Sequence, residues 1–496
     1  MERHLCGTLV TVAAGLMAVS ACAANAQPAT RPATTATGDW PGFRGGLDRS
    51  AVSSETGLAR TWPEGGPPLL WRFDGLGQGF SGLSVKGNQV VTVGAAGMTC
   101  LDLATGKRLW LVPGVRSAEC TPQIEGDRIY HKSGLTVACH SLADGKPLWS
   151  RDPKRDLAAL GEWKDRTCYS STAASPLVGL GRVYVTTGHT KAVVTALDAA
   201  TGEILWRTVG PEVTDGRGWG SPILVRHGGR DLLLTPTIRH LLGVDPSSGQ
   251  MLWNVELAEE VKPGTFGIGN VPVYRDGLVH IAAAYGPQVS KALRLSADGG
   301  SVSEVWSRTL IAPFQESATL AGGMLFGMGR LMWSDADADP NLLVDGKPLA
   351  EAKVRLHARR AGRDKEGLRL LEKPGQGFGL VCQDLATGKV LGIRFDLSEK
   401  SPGFAGPMVL AADGLLIVMW SWERPRLYLV KADPAMEVLG QLTPPTPEET
   451  PKGVWRGFTI PTLAGGRLLV RDMGTVFCYD LRAQSSSAAS GKERER

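Results

Sequence analysis

"LDLATGKRLW", residues 101–110, carries a Thr-Gly-Lys and invites comparison with a phosphate-binding loop. Such a loop needs a glycine five residues ahead of its Gly-Lys and a Ser or Thr after it. Leu101 and Arg108 occupy those two places, so the nucleotide reading fails. What remains is a recurrence. Nearly the same string returns as "LDAATGEILW" (197–206), with the lysine gone. It appears again as "HSLADGKPLW" (140–149), "VDPSSGQMLW" (244–253) and "QDLATGKVLG" (383–392), and a degenerate copy ends at Trp306.

A second repeat accompanies the first: a Gly-turn followed by an apolar burst, as in "KGNQVV" (86–91), "EGDRIY" (125–130) and "AGGRLL" (464–469). Its glycines, Gly87, Gly126, Gly181, Gly229, Gly277, Gly323, Gly414 and Gly466, are spaced by 39, 55, 48, 48, 46, 91 and 52 residues. Repeats of roughly 40–50 residues holding about four short strands are propeller blades. Only one Gly-turn and one Asp-x-x-Thr-Gly turn fall within the long interval, so it is one blade with an insertion, at about 330–376. The expected fold is all-β: a single eight-bladed β-propeller over residues 39–482.

Each blade string has a physical job. Asp102 can accept hydrogen bonds from amides just downstream, and Gly106 can supply the positive φ that closes the hairpin. The following strand ends in Trp110, whose ring suits the gap between blades. Trp149, Trp206, Trp253 and Trp306 share that position, so they read as packing residues rather than a stacking ladder for substrate. The ends of the chain complement each other. "PPLLWRF" (67–73) is a last strand with no blade before it, and "GRLLVRDMGTVFCYDLR" (466–482) is a last blade lacking that strand. Pairing them closes the ring without an open sheet edge. A helical period is absent beyond the N-terminus except over 350–372, where "VRLHARRAGRDKEGLR" (354–369) reads as a basic surface helix.

The A-x-D-x-x-T-G-x-x-x-W pattern, matched closely by Ala196–Trp206, resembles the tryptophan-docking motif of the pyrroloquinoline-quinone (PQQ) dehydrogenase-like eight-bladed propellers. Cys100, Cys139 and Cys382 take the alanine position, and Gly392 replaces the last Trp. The opening "DWPGFRG" (39–45) with "TGLARTWPEGGPPLLW" (56–71) is similar to exported members of that family. The resemblance implies the fold but not the function. The same ring hosts quinone oxidoreductases and the non-catalytic outer-membrane assembly lipoprotein BamB.

Residues 1–26 have the form of an export signal, with Arg3, an apolar stretch from Leu5 to Val19 and small residues after it. Two processing sites compete. "VSAC" (19–22) resembles a lipobox, making 1–21 a lipoprotein signal and Cys22 the lipidated residue; "ANA" (24–26) fits ordinary cleavage before Gln27. The Pro/Ala/Thr-rich 27–38 reads as a tether, which favours the anchored form, and 483–496 as a disordered tail. A net charge of +5 over 496 residues gives no case for nucleic acid.

Export permits disulfides. Cys100, Cys139, Cys382 and Cys478 sit on blade strands as small buried hydrophobes. Cys120 and Cys168 each precede a first strand of consecutive blades and are a possible bridge at the ring's mouth. "GLGQGFSG" (75–82) has the glycines of a dinucleotide fingerprint but opens a strand, so the helix N-terminus for a pyrophosphate is missing. His131, His140, His189, His240 and His280 share no ligand spacing. Asp335, Asp337 and Asp339 alternate and offer hard oxygens of the kind calcium takes, yet Pro340 and Gly346 stand where an EF-hand needs Gly and Glu; a solvated acidic loop is the simpler reading.

Function is therefore expected at the mouth, where each first strand begins, at "GQGFSG", "AECTP", "CYSSTA", "GWGSP", "GIGNVP", "QESATL", "GFAGP" and "RGFTIP". Gln78, Glu119, Trp219, Asn270, Gln315, Glu316 and Arg456 are the candidates for a binding site there. The family's dehydrogenases, by resemblance, have adjacent cysteines over the quinone, a calcium held by an acid and an amide, and an aspartate base. This chain has no Cys-Cys pair and no aspartate at any strand start. Glu119 and Asn270 would have to hold calcium, Trp219 to stack and Glu316 to act as base. The expectation is a non-catalytic envelope scaffold for a protein or peptide, bound at the mouth or at exposed loops such as 151–168 and 330–376, without a cofactor; the alternative is a PQQ- and calcium-dependent dehydrogenase of an exported alcohol or sugar.

Overall fold

The computed structural model describes residues 38–116, 119–152, 174–211, 220–257, 270–282, 289–311, 317–334, 341–352, 355–358, 368–372, 379–397, 408–420, 426–445 and 459–483. Eight antiparallel blades follow one another: one (84–112), two (123–151), three (177–208), four (223–256), five (273–311), six (319–394), seven (408–442) and eight (462–480). Within each, the first strand is innermost, and both faces of the inner strands are buried. Blade eight borrows its outer strand from the other end of the chain. Leu69–Asp74 pairs with Thr475–Asp480, with Trp71 opposite Cys478 and Phe73 opposite Val476. This is the closure expected from the two incomplete ends.

The quoted string forms the turn between the outer two strands of blade one. Asp102 Oδ1 accepts from the Thr105 amide and hydroxyl, each at 2.8 Å, which holds its carboxyl below the usual range. Gly106 adopts φ +70°. Its missing side chain matters as much as its dihedral, because a Cβ there would come within 2.6 Å of the Trp71 ring from blade eight. Trp71 Nε1 donates to Leu103 O at 2.9 Å, completing the stack. The same arrangement places Trp110 on Gly145, Trp149 on Gly202, Trp206 on Gly249 and Trp306 on Gly388. Each docking Trp also lies opposite a small residue of its own blade: Cys100, Cys139, Ala196, Gly243 and Ala292 face Trp110, Trp149, Trp206, Trp253 and Trp306. Cys100, Cys139 and Cys478 are small because an indole lies opposite each of them, whereas Cys382 faces Gly392. All four are fully buried.

Two seams lack a docking Trp of their own. After blade six, Gly392 sits against Pro434 O and the Met436 methyl, and Met436 fills the gap. After blade seven, Gly440 faces Trp62, whose amide donates to Leu439 O at 3.2 Å. Trp62 arrives from the N-terminal segment, meets Gly440 with its backbone and Cβ, and is buried in the core shared by blades seven and eight.

The insertion in blade six is built differently from expectation. Arg355–Ala358 pairs antiparallel with Leu368–Glu372, which pairs in turn with Leu331–Ser334 of the long strand Met324–Ser334. The basic run at 354–369 therefore begins as a strand, and the helix expected over 350–372 is replaced by this hairpin after a short 3-10 turn at Leu349–Glu351. "RLHA" alternates polar and apolar residues in the strand period, and an eleven-residue strand beside the hairpin offers unpaired backbone groups. Another part of the insertion, Leu343–Val344, adds a parallel strand outside Val390–Arg394. Blades five and six are continuous through Leu310–Ile311 paired with Arg330–Leu331.

The segment 38–58 is a plug in the axis of the ring. It enters and leaves on the face where first strands turn into second strands. Gly38 lies against Gly465 and Asp39 accepts from the Gly87 amide at 2.8 Å, both in such turns. Trp40 exchanges backbone hydrogen bonds with Val85 of blade one, and Ile124 of blade two donates to Pro41 O. Phe43 packs on the core between blades four and five, and Leu224 of blade four donates to Leu47 O. Val52–Ser53 adds a parallel strand to Ala411–Ala412 of blade seven, and Glu55 accepts from the Gly466 amide of blade eight at 2.5 Å.

Candidate functional site

Every inner strand runs from the mouth toward the plugged face, so the mouth is defined by the residues just before these strands. Short hydroxyl side chains link neighbouring blades there. The Gly82 amide donates to Thr121 Oγ1 at 3.0 Å, the Thr121 amide to Ser175 Oγ at 3.0 Å, and the Ser175 amide to Ser221 Oγ at 3.1 Å. On the other side the Val271 amide donates to Ser317 Oγ. Thr121, Ser175 and Ser221 each precede a proline, which has no amide to donate and holds the chain extended on both sides of the bond. That Ser/Thr-Pro signal is legible in the sequence, in "AECTP" and "GWGSP" and again at Ser175-Pro176.

It also corrects the start of blade three. "CYSSTA" (168–173) is too early: Ala174-Ser175-Pro176 occupies the place that Cys120-Thr121-Pro122 occupies in blade two. The counterpart of Cys120 is Ala174, whose carbonyl lies 3.4 Å from the Cys120 sulfur. Cys168, with which Cys120 could pair at the mouth, lies outside the described residues.

The floor of the mouth is cationic, which the sequence reading missed. From the plug, Arg49 reaches up to donate to Ser175 O at 3.1 Å and Pro176 O at 2.5 Å. Its guanidinium lies 5.8 Å from the centre of the Phe43 ring. Arg44 donates to Ser317 O at 3.2 Å and Ala318 O at 2.8 Å. Desolvation pushes Arg49 down to about 9, with nearby Arg44 adding to the effect against a Cys120 contribution that raises it. In blades two and eight, Lys132 and Arg471 occupy equivalent places on second strands. Lys132 donates to Thr186 O at 3.2 Å, and burial lowers its pKa. Arg471 Nη1 donates to Ser81 O at 2.5 Å, Thr92 Oγ1 at 2.6 Å and Val93 O at 2.9 Å; burial pushes it to about 9. Carbonyl oxygens of the ring accept from each of them and offset part of their desolvation.

Of the sequence candidates, Gln78 is exposed on the strap crossing blade one, where its carbonyl accepts from the Ala95 amide at 2.8 Å. Glu119 is solvent-exposed, yet the surrounding protein desolvates its carboxyl and raises its pKa. Asn270 is buried at the start of blade five. Glu119 and Asn270 lie three blades apart around the ring. Trp219, Gln315, Glu316 and Arg456 lie outside the described residues, as do Asp335, Asp337, Asp339 and the N-terminal region with Cys22. Among the described residues no three His, Cys, Asp or Glu side chains converge as a metal site. The histidines have structural partners: His131 and His140 face each other at 3.2 Å between Nε2 atoms, and His280 Nε2 lies 2.8 Å from Ser290 Oγ.

A sequence profile of the family described as outer membrane protein assembly factor BamB matches residues 63–162 and 136–337, over half of the chain. The chain belongs to this BamB family. Its fold is similar to the crystal structure of BamB from Moraxella catarrhalis (TM-score 0.52, 12% identity, 84% of this chain and 98% of that one). It is also similar to quinohemoprotein alcohol dehydrogenase from Comamonas testosteroni (0.57, 13%, 93% and 83%). A europium-containing methanol dehydrogenase gives 0.59 at 14% identity, covering 88% of this chain and 90% of that one. At such identities the likeness to both BamB and the dehydrogenases establishes the propeller alone. No curated protein sequence matches the chain at a significant level.

Proposed function

We propose that this BamB-family propeller is an exported envelope scaffold, anchored through Cys22, that binds a protein segment at its mouth and catalyses no reaction. The observation that carries the reading is the use of the floor. Arg44, Arg49 and Arg471 spend donors on carbonyl oxygens of the ring, so these cations serve to lock blades together. The family match to an outer membrane assembly factor supports the same reading. Calcium needs its oxygens gathered at about 2.3–2.6 Å from one point. Glu119 and Asn270, the only described candidates for that task, flank different seams: the chain beside Glu119 is tied to Ser175 and that beside Asn270 to Ser317. They do not fit a shared calcium.

The test is direct. Purified protein with PQQ and calcium is expected to show no rise in melting temperature, and dye reduction with alcohols and sugars is expected to stay at background. Micromolar PQQ binding, with activity lost in Glu316→Gln, would establish a dehydrogenase instead. Mass spectrometry of the mature N-terminus tests the anchor: a lipidated peptide beginning at Cys22 is expected, and one beginning at Gln27 would remove the membrane from this reading.

A further inference from the structure

Blade six meets blade seven without an indole, and the exchange that compensates for it is reciprocal. Elsewhere a Trp of one blade lies on a positive-φ glycine in the outer turn of the next, as Trp110 does on Gly145 and Trp306 on Gly388. Between blades six and seven both members change. Gly392 stands opposite Cys382, where the other blades place the Trp. Met436 takes the place of the glycine, one residue before the carbonyl that closes the turn. The Lys431 amide donates to Glu437 O at 3.0 Å there, as the Asp102 amide does to Lys107 O at 2.8 Å in blade one. Met436 keeps the glycine's left-handed backbone, with φ +49°, a conformation that is unfavourable for any residue carrying a Cβ.

The exchange brings sulfur together. The Cys382 thiol donates to Met324 Sδ at 3.6 Å. Met324 begins the second strand of blade six, two residues before Phe326, the strand partner of Cys382, so the three side chains share one face. From blade seven, the Met436 methyl lies 3.2 Å from the point a Gly392 Cβ would occupy. Directly opposed Cβ positions are about 4.5–5.5 Å apart, which puts the Met436 thioether one side chain away from Cys382. All three residues belong to the same apolar core. Cys382 and Met436 are fully buried, whereas Met324 is half-buried and gives a route from solvent to the thiol. The other three core cysteines face an indole instead of sulfur.

We propose that Cys382, Met324 and Met436 form a binding site for one copper(I) ion. Thiolate and thioether ligands select this soft cation, whereas zinc draws on Cys, His and carboxylates. With metal–sulfur bonds of about 2.3 Å, sulfurs 3.6 Å apart subtend roughly 103° at the metal, and opening to a trigonal 120° takes about 0.4 Å. On binding, the S–H bond of Cys382 is replaced by a sulfur–copper bond and the proton leaves to solvent. The surroundings suit a cation. Burial first, then the Asp433 and Asp384 carboxylates, push the free thiol up to about 12, and the same negative field stabilises a positive ion held there. The site lies in a seam between blades, away from the mouth, and is independent of the scaffold reading.

The test titrates copper(I) anaerobically into the full chain in competition with the chelator bicinchoninate. The parent is expected to retain one ion more than Cys382→Ser. Met324→Leu and Met436→Leu keep every cysteine and nearly the same volume, and each is expected to weaken the tightest-held ion by about tenfold or more. X-ray absorption of the protein loaded with a single equivalent is expected to show sulfur alone around copper, with one sulfur fewer in either Leu variant. Unchanged affinity in either Leu variant, or a shell of nitrogen and oxygen, overturns the site. Should a variant fail to fold, the parent grown with selenomethionine answers without any substitution: copper–selenium scattering supports the proposal, and its absence overturns it.

Discussion

Trp71 and Gly106 meet where the two ends of the chain close the ring, and a double-mutant cycle between them tests both the closure and the stack. Trp71→Ala removes a side chain that is 8% exposed, together with its donation to Leu103 O at 2.9 Å. Truncations of this kind cost about 3–5 kcal/mol. Gly106→Ala carries two separate penalties. At φ +70° an alanine loses roughly 1–2 kcal/mol to left-handed backbone strain. Its Cβ would also lie 2.6 Å from the Trp71 ring, and forcing the indole aside costs about 1–3 kcal/mol more. In the Trp71→Ala background the second penalty disappears while the first stays. The double variant is thus expected to be more stable than the sum of the single effects by about 1–3 kcal/mol. Guanidinium unfolding of the four proteins, followed by far-ultraviolet circular dichroism, measures this. Additivity within about 0.5 kcal/mol would refute the stack, and with it the placement of residues 69–74 in blade eight.

Trp62→Ala is expected to cost about 3–5 kcal/mol, as a docking tryptophan would, even though Trp62 lies outside every repeat; a loss below about 1 kcal/mol would assign it to the surface. Burial pushes His131 and His280 down to about 4, the first with help from neighbouring His140. Their neutral forms are favoured in the folded state, so stability is full above the unfolded value near pH 6.5 and declines toward pH 4. Each contributes on the order of 3 kcal/mol, and melting temperatures between pH 7.5 and 4.5 should show a slope that His280→Asn reduces. Deleting residues 39–73 removes plug, Trp62 and closing strand together and leaves Thr475–Asp480 as a bare edge. Oligomers in size-exclusion chromatography are expected; a monomer as heat-stable as the parent would contradict the closure.

The blades were legible because their turns are chemically demanding. An acid, a threonine and a glycine at fixed spacing, followed by an indole, leave few other structures. Closure was legible for the same reason, since a lone Leu-Trp strand needs a blade. The plug was not. Residues 39–55 follow no period, because their contacts pass from blade to blade around the axis, and Arg44 and Arg49 look like surface cations until the carbonyls of blades six and three come within reach. Trp62 could have been found from Gly440, a glycine where the seam needs an indole. The basic charge of 354–369 hid a two-residue alternation. At the mouth, residue types alone named Glu119 and Asn270 together, while the ring sets them three blades apart.

Blade eight joins Leu69–Asp74 to Thr475–Asp480, strands separated by about 400 residues of chain. At synthesis rates of about 5–20 residues per second, the first waits roughly 20–80 s for the second to exist. Throughout that interval Leu69, Leu70 and Trp71 have no partner strand, and the axis into which residues 38–58 fit has not formed. Completion is thus an event of the whole chain, reached only after its last blade has been made.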